Sequence, residues 1–254
     1  MKQRSRQFNF KNKNSEELCG RLELPAEEPR AYAIFAHCFT CSKDILAASR
    51  IPKALSEKGI AVLRFDFTGL GNSEGDFSNT NFSSNIDDLR SALLALKQEG
   101  MTPSILIGHS LGGAAVLKLS TEIEEIKAVV TIGAPSDTKH VSHLFEDDIP
   151  TILEKGEASV KLAGRSFNIK KSFIDDINMQ DILSALSSSK KAYLVMHSPL
   201  DETVSINHAG EIYKALKHPK SFISLDGADH LVSRAKDAKY LSNMIAAWVE
   251  QYIS

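Results

Sequence analysis

Gly108-His109-Ser110-Leu111-Gly112 sets a serine between two glycines in the pattern G-x-S-x-G. A serine hydroxyl of ordinary acidity is a poor nucleophile. It needs a base to take its proton and an acid to orient that base. The chemistry to look for is therefore acyl transfer. The glycines remove side chains that would clash in a sharp turn at Ser110. A helix starting at Leu111 would put free N–H groups and partial positive charge where an oxyanion forms. Gly113-Ala114-Ala115 keeps that helix slim. The plainer alternative is a tight strand–helix turn whose serine is passive.

With a serine at such a turn, the acid and the histidine follow it in the chain, in that order. His230 lies in Leu225-Asp226-Gly227-Ala228-Asp229-His230, just past an apolar run, and is the expected base. His208 and His218 do not sit just past a strand end. Asp201, in His197-Ser198-Pro199-Leu200-Asp201-Glu202, is the expected acid. Glu202 is a close competitor, and Asp175 and Asp176 are remote ones. The backbone N–H groups of Phe39 and Leu111 are the expected oxyanion donors. His37, Cys38 and His109 flank these positions and are candidates for lining a substrate pocket. The glycine-bearing loop at residues 66–73 reads as scaffold under the site rather than as a phosphate loop.

These residues need elements to hold them. Apolar runs at residues 31–36, 60–65, 104–108, 128–132, 192–196 and 221–225 read as buried strands. Helical spacing covers residues 45–58, 85–97, 111–121, 207–216 and 235–252. Strand alternating with helix means an α/β fold, a parallel sheet with helices on both faces. Residues 5–10 and 18–24 read as two amphipathic strands forming an antiparallel edge. The segment 137–189 breaks the rhythm. Its alternation around Ala163-Gly164-Arg165 predicts a hairpin, and Phe173, Ile174 and Ile177 a helix. It is expected to be a cap inserted in a core of residues 1–136 and 190–254.

Composition is permissive. The 254 residues are 43% hydrophobic and 24% charged, with a net charge of −2. Such a chain buries a full core without metal or disulfide staples, leaving roughly 11,000 Å² exposed. Thirty basic against thirty-two acidic residues leave no field to attract nucleic acid. No apolar run approaches the roughly 18 residues of a membrane span. The N-terminal stretch has no apolar middle for a signal peptide, so the cytosol is the expected location. Three cysteines are too few and odd for a disulfide framework, though one bridge remains possible.

Taken together, these motifs resemble the alpha/beta-hydrolase superfamily over essentially the whole chain, which implies a mostly parallel central sheet of about eight strands. More narrowly, Ala36-His37-Cys38-Phe39-Thr40-Cys41-Ser42-Lys43-Asp44, Arg64-Phe65-Asp66-Phe67-Thr68-Gly69-Leu70-Gly71, Asn79-Thr80-Asn81-Phe82, Gly164-Arg165-Ser166-Phe167 and Phe173-Ile174-Asp175-Asp176 resemble the hydrolase half of bifunctional alpha/beta-hydrolase–OsmC fusion proteins. The resemblance implies a bacterial serine hydrolase of carboxylic esters that needs no metal or organic cofactor. It supports Ser110, Asp201 and His230 as triad and Phe39 and Leu111 as oxyanion donors. An amidase or peptidase would use the same residues. A catalytically silent module binding an OsmC-like redox partner is the alternative of another class. A serine at position 110 argues against dehalogenases, which use Asp, and dienelactone hydrolases, which use Cys. Two departures stand out. Cys38 replaces the usual glycine, which narrows the approach to the oxyanion hole and restricts acyl size. The OsmC half is absent, so the resemblance leads one to expect a free-standing form or a partner on a separate chain. Cys38-Phe39-Thr40-Cys41 is also a C-x-x-C, read first as packing and second as a redox pair; Cys19 reads as core.

Overall fold

The computed structural model describes residues 4–162 and 164–253. Its strands are, in chain order, β1 (Arg4–Gln7), β2 (Phe10–Lys11), β3 (Glu17–Leu18), β4 (Gly20–Leu24), β5 (Ala31–Ala36), β6 (Ile60–Phe65), β7 (Pro103–His109), β8 (Ala128–Ile132), β9 (Glu157–Leu162), β10 (Arg165–Lys170), β11 (Ala192–His197) and β12 (Lys220–Ser224). Its α-helices are α1 (Leu46–Ser56), α2 (Phe82–Gln98), α3 (Leu111–Ser120), α4 (Ile149–Lys155), α5 (Lys171–Met179), α6 (Ile182–Leu186), α7 (Ile206–Ala215) and α8 (Ala235–Ile253).

Eight strands form one sheet in the order β1-β4-β6-β5-β7-β8-β11-β12. From β6 to β12 neighbours run parallel, whereas β4 and β1 add an antiparallel edge. Side chains alternate across each strand and so divide between two cores. Ala33 and Phe35 of β5 join Ile105, Val130 and Leu194 beneath α1 and α8. Ile34 and Ala36 face the other way, with Leu106, Val129 and Tyr193, toward α2 and α3. Each fully buried Leu or Ile is worth roughly 1.5–3 kcal/mol, which makes this two-sided burial the main support of the site.

Local differences from the sequence expectation have local causes. Helix α2 begins three residues early because Asn81 caps it: Asn81 Oδ1 accepts from the Ser84 N–H and Ser84 Oγ from the Asn81 N–H. The two N-terminal strands are each broken. β1 pairs with β4 in the main sheet, while β2 and β3 form a separate ribbon around a polar turn. Strand β12 is not buried on both faces. It is the sheet's outer strand, half-exposed along its length, with Phe222 in solvent.

Residues between β8 and β11 hold a 3₁₀ segment (Lys139–Asp148), α4, the β9–β10 hairpin, α5 and α6. The hairpin pairs Val160 with Phe167; Ala163, in its turn, lies outside the described residues. The segment attaches to the turn that follows β6 and to the start of α2. Asp176 accepts from Ser83 N–H at 2.9 Å and Ser83 Oγ at 2.5 Å. Lys170 Nζ donates to Asn79 at 2.6 Å. Phe167 packs on Phe77 with ring centroids 4.8 Å apart. Among the described residues, no helix is long and apolar enough to cross a membrane.

Candidate active site

Ser110 stands where β7 turns into α3, with φ 55° and ψ −127°. A non-glycine residue there is strained by order 1–3 kcal/mol and persists only where its surroundings hold it. The holding is visible. The Ser110 N–H donates to Ile132 O at 2.9 Å. Helix α3 lies so close to the end of β5 that a Cβ on Gly112 would sit 2.4 Å from His37 O and 2.5 Å from Ala36 O. Only a residue without a side chain allows that approach.

Ser110, His230 and Asp201 form one hydrogen-bonded chain. His230 Nε2 lies 3.0 Å from Ser110 Oγ, and His230 Nδ1–H donates to Asp201 Oδ2 at 2.7 Å. That bond fixes the tautomer and leaves Nε2 to accept the serine proton. The Asp201 side chain is 2% exposed. Burial alone would raise its carboxyl. The bond from His230 and the N–H groups of Val204 and Thr203 outweigh burial and hold it below the usual carboxylate range. Gly133 makes room for the pair: a Cβ there would lie 3.2 Å from Asp201 Oδ2. Of the competing acids, Glu202 points into solvent, Asp175 pairs with Lys171, and Asp176 binds Ser83.

The loop after β5 brings Phe39 to the same small pocket that Leu111, next to Ser110, borders. The N–H groups of Phe39 and Leu111 have no protein acceptor among the described residues. The loop is braced from below. Asp66, fully buried, accepts from Lys43 N–H at 2.6 Å, Lys43 Nζ at 2.7 Å and Asn72 N–H at 3.0 Å. The 66–73 loop thus serves as scaffold. From above, Arg165 of the β9–β10 hairpin donates to Thr40 O, and Phe39 packs on Phe173 at 5.4 Å.

Of the pocket candidates, His37 and Cys38 border a small, partly open pocket with Phe39, Phe77 and Leu111. His109 does not line it. Its fully buried ring donates from Nε2 to His230 O at 2.7 Å. Burial, with His230 alongside, pushes its pKa down to about 4, so it is neutral at pH 7. His109 is therefore a support for the histidine loop rather than a pocket wall. His197, which sequence reasoning passed over, supports the acid loop similarly. Burial lowers its pKa, and its Nε2–H donates to Val204 O at 2.8 Å, with Asp201 Oδ2 at 3.6 Å. Its place as the last residue of a buried strand was the available signal.

The cysteine reading needs correction. Cys38 and Cys41 are joined in a disulfide and are not two packing thiols; Cys19 is the free cysteine. Cys19 is also only half-buried, in the break between β3 and β4, so it is not core. The bridge removes cysteine usage as an argument for a reducing compartment. Among the described residues, no group of three or more His, Cys, Asp or Glu is arranged to hold a metal ion.

The family described as Hydrolase_4, serine aminopeptidase, S33, matches residues 27–170, more than half the chain, including the Ser110 turn. The chain belongs to this alpha/beta-hydrolase family. The crystal structure of an esterase domain from Rhodothermus marinus is 43% identical, with a TM-score of 0.81, over 99% of this chain and 100% of that one. Est1E of Butyrivibrio proteoclasticus, solved with ferulic acid, is 19% identical with a TM-score of 0.79, over 97% and 99% of the two chains. Mouse alpha/beta hydrolase domain-containing protein 10 is 20% identical with a TM-score of 0.80, over the same shares. The last two show the fold alone. YfhR of Escherichia coli K12, itself uncharacterized, is 24% identical over 182 residues, 70% of this hydrolase but 55% of its own length. This hydrolase therefore spans about half of that curated relative.

Proposed function

We propose that this hydrolase is a serine carboxylesterase acting through an acyl-enzyme on Ser110. The observation that carries the reading is the continuous Asp201–His230–Ser110 chain at a strained turn. Ser110 Oγ attacks the ester carbonyl while His230 Nε2 takes its proton. Asp201, kept ionised, orients the ring and stabilises its charged form. The free N–H groups of Phe39 and Leu111 receive the oxyanion, each donor worth roughly 3–4 kcal/mol. His230 then protonates the departing alcohol, and water, deprotonated by the same ring, releases the acid.

The leaving group must lie beside His230. We assign it to the open cleft of about 450 Å³ bordered by Leu200, Thr203, His230 and Leu231, on the His230 side of the site. The acyl group then points toward Phe39 and the insertion. We read residues 137–189 as a cap whose Phe173 limits acyl length to small and medium chains. The name of the Rhodothermus marinus relative is consistent with ester substrates.

The test is a fluorophosphonate probe together with a panel of p-nitrophenyl esters, with Ser110→Ala as control. Labelling at Ser110 and loss of turnover in the variant are expected. Equal turnover in wild type and variant would remove the serine from the mechanism. A second reading, amide hydrolysis, is favoured by the description of the matched family as a serine aminopeptidase. Aminoacyl p-nitroanilides compared with p-nitrophenyl esters of the same acyl groups decide between the two.

A further inference from the structure

The Cys38–Cys41 bridge encloses Phe39 and Thr40, and so spans the expected oxyanion donor itself. A cross-link over so few residues removes little entropy from the unfolded chain. A chain of 254 residues with two buried cores has no need of a staple. Global stability is therefore a poor reason for the bridge, and its position points to local control. Cys41 N–H donates to Cys38 O at 3.2 Å, closing a turn between the bridged residues. Within it, Thr40 is β-branched yet has φ 56°, a conformation such residues rarely adopt. His37 Nδ1–H also donates to Cys38 O, at 2.8 Å. The donor's position is thus held by the bridge, that carbonyl and the Arg165 contact to Thr40.

We infer that Cys38–Cys41 is a reversible redox site whose disulfide form holds the Phe39 N–H in the oxyanion hole and whose dithiol form releases it. The co-reactant is a dithiol. Cys41 is half-exposed and Cys38 is buried, so the incoming thiolate attacks Sγ of Cys41. A mixed disulfide forms, and Cys38 leaves as a thiolate that takes a proton. The second thiol of the reductant then attacks its own sulfur in the mixed disulfide, freeing Cys41. Two electrons and two protons have passed to the protein, and the reductant has closed to its own disulfide. With the bridge open, the left-handed Thr40 relaxes and Phe39 N–H turns away. Ser110, His230 and Asp201 are untouched.

This inference rests on the esterase reading, and its test separates the two. The protein carrying Cys19→Ser, so that only the bridge can change, is assayed before and after dithiothreitol. Mass spectrometry after alkylation counts the free thiols, and circular dichroism follows the fold. With the fold intact, kcat is expected to fall at least about tenfold on reduction, toward the 10²–10³-fold typical of losing one donor. KM should change far less, and diamide should restore kcat. Cys41→Ser should show the reduced kcat and ignore dithiothreitol. An unchanged or raised kcat with both thiols free overturns the inference, as does a bridge that resists dithiothreitol in the folded protein. If the oxidised protein neither hydrolyses esters nor takes the fluorophosphonate at Ser110, the esterase reading fails and this inference with it.

Discussion

Gly112→Ala and Gly210→Ala are the same substitution in two helices, and the structure assigns them opposite signs. Alanine is better than glycine inside a helix by roughly 0.5–1 kcal/mol. At Gly210, in α7, a Cβ meets nothing within 4 Å, so the full gain is expected. At Gly112 the Cβ would lie 2.4 Å from His37 O, against backbone that cannot rotate aside. Relieving that contact moves the end of β5 or the start of α3 by the best part of an ångström. Overpacking of this kind costs roughly 1–3 kcal/mol, which exceeds the propensity gain. For a chain of 254 residues, each kcal/mol shifts Tm by about 2 °C. Gly210→Ala should therefore melt about 1–2 °C higher than wild type, and Gly112→Ala up to about 4 °C lower. The displaced backbone leads directly into Phe39, so Gly112→Ala should also lose ester hydrolysis by order 10²-fold, the usual result of a 1 Å misplacement. Calorimetry and p-nitrophenyl acetate kinetics on the three proteins check this. A Gly112→Ala protein that melts as high as wild type would refute the steric argument.

Asp201→Asn keeps the shape of the acid but lets His230 adopt the wrong tautomer; kcat should fall by about 10⁴ with little change in Tm. Burial raises Asp88 from 3.8 to about 6 despite its bonds from Thr68. The folded state then holds that proton more tightly than the unfolded chain, so this group's contribution to stability falls as pH rises from about 4 to 6, by up to about 3 kcal/mol. Asp88→Asn should flatten that slope in urea unfolding measured across the window; an unchanged slope assigns it elsewhere. Phe173, 3% exposed and packed against Phe39 and edge-to-face with Phe145, should cost about 3–5 kcal/mol when cut to alanine. The same variant should shift preference toward longer acyl p-nitrophenyl esters, and an unaltered chain-length profile would remove Phe173 from the acyl pocket.

Much of the fold was legible because its signals are local. Buried parallel strands are short apolar runs, and the strand, Ser110 and helix sequence announces its own turn. Asp201 and His230 could be placed because each follows such a run. What escaped notice depends on distant neighbours. The apolar run at residues 221–225 looks like an interior strand, yet β12 has no strand beyond it; α7 holds it through Lys220 Nζ, which donates to Tyr213 O at 2.7 Å, and Trp248 of α8 donates to Ser221 Oγ at 3.0 Å. The spacing of Cys38 and Cys41 fits packing, redox and bridged readings alike; only the turn at Thr40 brings the sulfurs together. His109 looked like a pocket residue because it adjoins Ser110, but the β7 pleat sends its ring under His230. Arg165 shows no sign in the sequence that it reaches Thr40, 125 residues away.

The order of the strands bears on how the chain becomes active as it is made. Ser110 and His230 are 120 residues apart, and His230 and Asp201 are 29 apart. Domains emerge from the ribosome N-terminal end first. By the time β8 is complete, the serine turn, its helix and the loop carrying Phe39 all exist, but the acid and the base have not been synthesised. The serine of such a nascent chain keeps an unassisted hydroxyl and is chemically quiet. On the proposed mechanism, reactivity arrives only when β11 and β12 add to the sheet beyond β8. Ester hydrolysis would then report a late step of assembly, and its recovery in refolding should trail the return of helical signal.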